Sequence, residues 1–353
     1  MTQQVTARDL SVRMRDFEGV AGPRAPLYQR LAGGLADVPE VLDLLAEAPG
    51  PNQLPVTLLA AVHDLLLADP SAPLAAYYPN LTADPRRDDP VPAFVGFCRE
   101  RRDEVAELVR NRTPQTNEIG RSALLLVGMA RVAADVGDLA HLDVGASAGL
   151  NLLVSEYGYD YAGHRLGGRR LVISCTPRGD RPELLPARIP RVVARLGLDR
   201  SPIDLADAEQ VRWLRACVWP DQTDRFERLG TAIQLAREAG VQVRAGDAAT
   251  ALASTAVALP VGHLVITTSW VLNYLDRAGR DAFLGELELI AQHRDLSWVC
   301  AEAPAYAPGL PCPPGMEDST LTLLNVTRWR DGRRSVEHLA TCHPHGYWLT
   351  WLA

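Results

Sequence analysis

The sequence contains no lysine; all 36 of its Lys-plus-Arg positions are arginine. That absence removes whole chemistries. A P-loop needs a lysine at the phosphates. Pyridoxal enzymes and Schiff-base aldolases need a lysine amine, so no pyridoxal phosphate is expected. A Ser-x-x-Lys hydrolase needs one too. No apolar run reaches about 18 residues, so no membrane span is expected. The opening stretch "MTQQVTARDLSVRMRDF" lacks the apolar core of a signal peptide. The six cysteines (98, 175, 217, 300, 312 and 342) include no C-x-x-C pair. Scattered thiols without an export signal read as reduced and the chain as cytoplasmic. No strongly basic block is present and the net charge is −7, which argues against a nucleic-acid partner. His343-Pro344-His345 is an isolated pair, read as a surface loop, and no metal site is expected.

What is present suits a globular enzyme: 353 residues, 47% hydrophobic and 22% charged. Residues 1–115 read as a helical N-terminal domain. "LYQRLAGGLADVPEVLDLLAEA", "LPVTLLAAVHDLLLAD" and "VPAFVGFCRERRDEVAELVRN" carry apolar residues at helical spacing between Pro or Gly breakers. Residues 116–353 then alternate between strand and helix, which implies a mostly parallel α/β sheet. Thr116 or Asn117 is expected to cap a long apolar helix ending at Gly137. "DLAHLDV" reads as the first strand and "LNLLVSEYG" as a helix. "YDYAGHRLGGRRLVISC" reads as a hairpin insertion near 159–175, turning at Gly167-Gly168. Further strands are expected at "RVVARLGLDRSP", "VQVRAGD", "HLVITTS" and "LSWVCAEA". A C-terminal antiparallel hairpin turns at "RDGRR" and is extended by "GYWLTWL".

The stretch "HLDVGASAGLNLL" (141–153) supports two functions. Gly145, Ser147 and Gly149 spell G-x-S-x-G, the nucleophile elbow of serine hydrolases. Asp143, Gly145 and Gly149 also resemble the acidic-Gly-x-x-x-Gly loop of S-adenosylmethionine-dependent methyltransferases. Element order favours the second. Hydrolase elbows follow several strands and an HGGG-type loop, whereas here only helices precede. A buried carboxylate such as Asp143 also needs donors, and a hydrolase elbow has no use for an acid there. A hydrolase would require Asp295 or Glu302, then His338, His343 or His345. A nicotinamide loop would need glycines at 145, 147 and 150, where the chain has Gly145, Ser147 and Leu150.

The blocks "QTNEIGRSA", "VGASAGLNLL", "WLRACVWPDQ" and "AGDA", in that order, resemble domain-of-unknown-function family 2332 from about residue 10 to the C-terminus. The resemblance implies a Rossmann-like fold of the methyltransferase type and no particular substrate. The acid-plus-glycine loop points to S-adenosylmethionine as cofactor, and the architecture to a small-molecule acceptor as substrate. The cofactor-binding residues so implied are Asp143, Gly145, Ser147, Gly149, Asn151, Asp199, Asp247, Ala248 and Ser269. Asp199 would take the ribose, although it lies farther from the loop than the usual 20 or so residues. Asp247 would take the adenine amino group; its structural alternative is a helix N-cap. Asn117, Trp219, Asp221, Gln222, Trp270 and Tyr274 are candidates for the substrate, and Glu118 for a general base, with a capping role as its alternative. A Ser147-dependent esterase and a non-catalytic ligand-binding protein remain the competing functions.

Ser147 separates these readings. If it is a small loop residue, Ser147→Ala keeps cofactor binding, and a fluorophosphonate probe leaves the protein unlabelled. Labelling that disappears in Ser147→Ala would establish the hydrolase instead.

Overall fold

Residues 6–179 and 181–352, which the computed structural model describes, form eleven α-helices and twelve β-strands. They divide into two units. One comprises the chain up to Thr116 together with Leu205–Gly230; the other comprises Asn117–Asp204 and the chain from Thr231 onward.

The first unit is helical. It contains α1 (Ala7–Ala21), α2 (Pro26–Leu35), α3 (Pro39–Ala46), α4 (Pro55–Ala68), α5 (Val91–Glu100) and α6 (Arg102–Asn111). Thr6 and Asp9 close a capping box on α1. Proline occupies the first position of α2, α3 and α4, where its missing N–H costs no helical bond. Two segments expected as single helices are broken. Pro39 forces Val38 into an extended conformation and separates α2 from α3. Arg101 leaves helical geometry between α5 and α6. α7 (Ser122–Val136) belongs to the second unit, α8 (Ala208–Ala216) returns to the first, and α9 (Thr223–Ala239) carries the chain out of it again. The helical part therefore does not end at residue 115. The reason is Trp213 of α8, which is buried in the helical core and donates from Nε1 to the Thr113 carbonyl at 3.0 Å.

The second unit is built on strands β1 (Leu139–Val144), β2 (Gly158–Tyr161), β3 (His164–Gly167), β4 (Val172–Ser174), β5 (Thr176–Arg178) and β6 (Val192–Asp199). They are followed by β7 (Val243–Ala245), β8 (His263–Ser269), β9 (Leu296–Glu302), β10 (Thr322–Arg330), β11 (Arg333–Cys342) and β12 (Trp348–Trp351). Nine strands form one mostly parallel sheet in the order β5-β12-β11-β10-β9-β8-β1-β6-β7. β7, β6, β1, β8 and β9 run parallel; β10, β11 and β12 continue antiparallel. Every residue of β1 and β9 is buried, as expected of strands covered on both faces. α10 (Ala248–Ala256) and α11 (Arg277–Ala291) share a core with the sheet, where Phe283 meets Trp298 edge-on at 5.5 Å.

Three local expectations need correction. "LNLLVSEYG" forms only a 3₁₀ turn over Leu150–Leu153, because the chain enters β2 at Gly158. The hairpin of the insertion turns at Ala162-Gly163, not Gly167-Gly168; both turn residues have positive φ, as a tight two-residue turn requires. β4 then pairs parallel to β2, making a small three-stranded sheet. Finally, neither Thr116 nor Asn117 caps the helix; Glu118 caps a 3₁₀ turn over Ile119–Arg121, and α7 starts at Ser122.

α7 approaches the sheet through Gly128, where an added Cβ would lie 2.4 Å from Val299 Cγ1. Gly128→Val should therefore lower unfolding stability by about 1–3 kcal/mol through overpacking. The check is the urea midpoint at unchanged m-value; an unaltered midpoint would mean that α7 is not seated on β9.

Candidate functional site

The strand order reverses at β1, whose neighbours β6 and β8 lead to opposite sides of the sheet. At its carboxyl end the chain enters the loop 145–149. Gly145 (φ +72°), Ser147 (φ +51°) and Gly149 (φ +73°) all take positive φ. Glycine does so freely, but Ser147 is strained and must be held by its surroundings. The holding group is Asp199, at the carboxyl end of β6. Its Oδ2 accepts from the Ser147 amide and its Oδ1 from the Ser201 amide, both at 2.8 Å. A Cβ on Gly145 would lie 2.3 Å from Val271 Cγ2, so that glycine also makes room for the segment after β8.

Asp143 is buried, 2% exposed, beside Thr267 on β8. Thr267 donates its hydroxyl to Asp143 Oδ1 at 2.5 Å, and His141 Nε2 lies 2.9 Å from the same Thr267 oxygen. Since the threonine proton faces Asp143, His141 donates from Nε2. Burial holds the His141 value down at about 3, so its ring is neutral. Burial raises Asp143 to about 7; Thr267 and the Arg121 charge lower it, and Asp199 raises it further.

Arg121 is itself buried. It donates from Nε to the Pro344 carbonyl at 2.8 Å and from Nη1 to the Ser269 carbonyl at 3.0 Å. Its guanidinium carbon lies 5.9 Å from the Trp270 ring. Trp270 has φ +56°, bonds Thr322 Oγ1 through Nε1 at 2.8 Å, and faces Tyr306 at 5.7 Å. Glu302, at the end of β9, accepts from the Val271 amide at 3.1 Å through Oε1, while its buried Oε2 meets no hydrogen-bond partner. Burial raises Glu302 to about 7, against the Val271 and Leu272 amides and Arg121. The sequence offered Glu302 only as a triad alternative; an acid ending a mostly apolar strand is the signal for its part in this cluster.

Glu118 is 3% exposed. Oε1 accepts from the Gly120 amide at 2.9 Å, its capping role, and Oε2 lies 3.1 Å from His345 Nδ1. The turn carrying His343 and His345 is thus seated on residues 118–121. A Cβ on Gly346 would stand 2.1 Å from the Gly120 oxygen, so the two backbones touch there.

The other expected residues fall into four groups. Near the loop, Asn117 reaches the Ala146 carbonyl at 3.5 Å, and Asn151 accepts from Ser122 Oγ at 2.7 Å. Asp247 caps α10, whose first residue is Ala248, and pairs with Arg200 at 2.8 Å. Ser269 ends β8 with a buried hydroxyl that has no partner, and Tyr274 is 73% exposed. Trp219, Asp221 and Gln222 belong to the helical unit. There Asp221 accepts from the Leu27 amide at the start of α2 (3.1 Å), Trp219 packs on Phe17 at 5.3 Å, and Gln222 accepts from Arg225. Among the described residues no three His, Cys, Asp or Glu side chains are grouped to hold a metal ion, and no helix is long and apolar enough to cross a membrane.

Asp143 ionises near pH 7 in the fold but near 3.8 as an ordinary aspartate. Between those values the folded chain holds the extra proton, so the Asp143 contribution to stability declines as pH rises. Buried neutral His63 and His141, with folded values of about 4 and 3, act in the opposite sense below 6.5. Asp143→Asn isolates the first effect. Relative to the parent protein it should gain stability from about pH 5 to about pH 7.5 in urea titrations. A constant difference across that window would show that Asp143 ionises normally.

No curated protein matches the chain. One family profile, described as "Uncharacterized protein conserved in bacteria (DUF2332)", matches residues 13–351. With nearly its whole length covered, the chain belongs to the DUF2332 family.

Proposed function

We propose that the second unit is a Rossmann-like domain of the methyltransferase type, that it binds S-adenosylmethionine, and that the chain methylates a small-molecule acceptor. The carrying observation is the reversal of strand order at β1, with the left-handed loop 145–149 leaving the same strand end. Ligands of open α/β sheets lie outside the carboxyl ends of the strands at such a reversal. The 3₁₀ turn after the loop supports a phosphate-free cofactor over a dinucleotide. A pyrophosphate gains from the N-terminus of a full helix, and Leu150–Leu153 is a single short turn.

The residues fit the nucleoside part. Asp199 ends β6, and Asp247 follows β7. A carboxylate offers about four acceptor directions. The Ser147 and Ser201 amides use two on Asp199, leaving room for ribose hydroxyls. Asp247, lowered chiefly by the Ala249 amide, stays ionised for an adenine amino group. Asp143 and Asn151 would border the methionine end. When bound, S-adenosylmethionine supplies an electrophilic methyl group on sulfonium. Methyl transfer gains mostly from proximity and alignment, so a base is needed only for an acceptor that arrives protonated. The Glu118–His345 pair suits that task, because a carboxylate at Nδ1 fixes the imidazole and raises the basicity of Nε2.

Calorimetry of the full chain tests the reading. S-Adenosylmethionine and S-adenosylhomocysteine should bind and compete. Asp199→Asn, which keeps the size but not the charge, should bind about tenfold more weakly. A folded protein giving no heat and no competition at millimolar ligand would remove this function. One observation favours the esterase as second reading: Ser147 is held at positive φ on a sharp turn, as nucleophile elbows hold their serine.

A further inference from the structure

Trp270 follows β8 with φ +56°. That region is costly for a bulky residue and persists only where the surroundings over-determine it. Three contacts hold it. Its amide donates to the Ala301 carbonyl at 3.2 Å, its Nε1 donates to Thr322 Oγ1 at 2.8 Å, and the Arg121 guanidinium carbon lies 5.9 Å from its ring. The ring so fixed supports Tyr306, whose centroid lies 5.7 Å away.

Tyr306 belongs to the stretch 303–321 between β9 and β10 and is 51% exposed. With Trp270 against one side, the open half of its surface lies away from Trp270. Its backbone is fixed as well. The Tyr306 amide donates to the Ala303 carbonyl and the Ala305 amide to the Ser319 carbonyl, both at 3.0 Å. Arg280, buried on α11, donates from Nε to the Pro308 carbonyl at 3.0 Å and from Nη1 to the Leu275 carbonyl. One guanidinium thus ties the stretch bearing Tyr306 to the stretch bearing Tyr274, which is 73% exposed. Both stretches leave carboxyl ends of the sheet, β8 and β9. A tyrosine that merely sits in solvent needs none of this support. A stiffly held ring with an open face is suited to receive another ring, stacked with an offset or edge-on.

The platform adjoins the Glu118–His345 pair through Arg121. That residue closes the 3₁₀ turn begun at Glu118, holds the Pro344 carbonyl next to His345, and lies over Trp270. The pair limits the acceptor. Imidazole bases act on phenols, which ionise near about 10, and far less on aliphatic alcohols, which ionise several units higher.

We propose that Tyr306 selects the substrate and that the acceptor is a small phenol, its ring laid on Tyr306 beside Tyr274. As a statement about the acceptor this rests on the methyltransferase reading. The phenolic proton passes to His345 while the oxygen takes the methyl group from sulfur, which leaves S-adenosylhomocysteine as the neutral thioether.

The test uses saturation-transfer NMR of p-cresol with the full chain, first without cofactor. p-Cresol should bind saturably at millimolar concentration. 4-Methylcyclohexanol, which has the same carbon skeleton and hydroxyl but no π face, should bind about fivefold more weakly or worse. Tyr306→Phe should bind p-cresol within about twofold of the parent, and Tyr306→Leu, which keeps apolar bulk, about threefold to tenfold more weakly. With S-adenosylmethionine added, p-cresol should become 4-methylanisole. Absence of saturable p-cresol binding overturns the proposal, as does equal binding of 4-methylcyclohexanol or indifference to Tyr306→Leu. Bound p-cresol that yields no ether, in a protein that does bind S-adenosylmethionine, overturns the acceptor assignment. Because the first readout needs no cofactor, its failure and the failure of the methyltransferase reading are separate results.

Discussion

Arg121 joins two distant parts of the chain at one buried guanidinium. Its Nε holds the Pro344 carbonyl of the turn before β12, and its Nη1 holds the Ser269 carbonyl at the end of β8. It is also the cation that offsets Asp143 and Glu302, two carboxylates that burial pushes up to about 7. Burying an arginine is itself costly, and the cost is tolerated where hydrogen bonds and opposite charge surround it. The carboxyl edge of the sheet depends on this arrangement. Without it, the turn bearing His345 would lose its bond at the Pro344 carbonyl, and two interior acids would lose the positive charge that offsets them.

The glycine loop draws on a similar economy of groups. Asp199 binds amides on both sides of itself, so one carboxylate ties the loop after β1 to the end of β6. Ser147 then needs no glycine to occupy a left-handed conformation, because the bond at its amide opposes the strain. The acid at this strand end is thus a structural element before any ligand is considered.

Much of this was legible in the sequence, for identifiable reasons. Strands β1, β6, β8 and β9 are mostly apolar runs bounded by turn residues, which made their places along the chain legible, whereas their order across the sheet came from the structure. The glycine loop and Asp143 were visible as a motif. Capping by Asp247 was visible as the alternative to its ligand role, from an acid placed directly before "AATALAS". What escaped were features set by distant partners. Arg121 appears in the sequence as one arginine among 36, and only its bonds to residues 269 and 344 distinguish it. The 3₁₀ turn after the loop escaped because "LNLLVSEYG" has good helix formers; the entry into β2 overrides them. The membership of α8 in the helical unit escaped because it depends on where Trp213 is buried, a contact about 100 residues away in the chain.

The nine-stranded sheet ends on each side in a strand of only three residues, β5 and β7. An open sheet edge displays unpaired amides and carbonyls on which another chain can add a strand, the first step towards aggregation. Three residues give such an intruder little ladder to extend. On the β5 side the middle residue is Pro177, which has no amide proton to offer. A wide sheet with long, apolar, fully buried inner strands thereby remains protected from self-association at its margins.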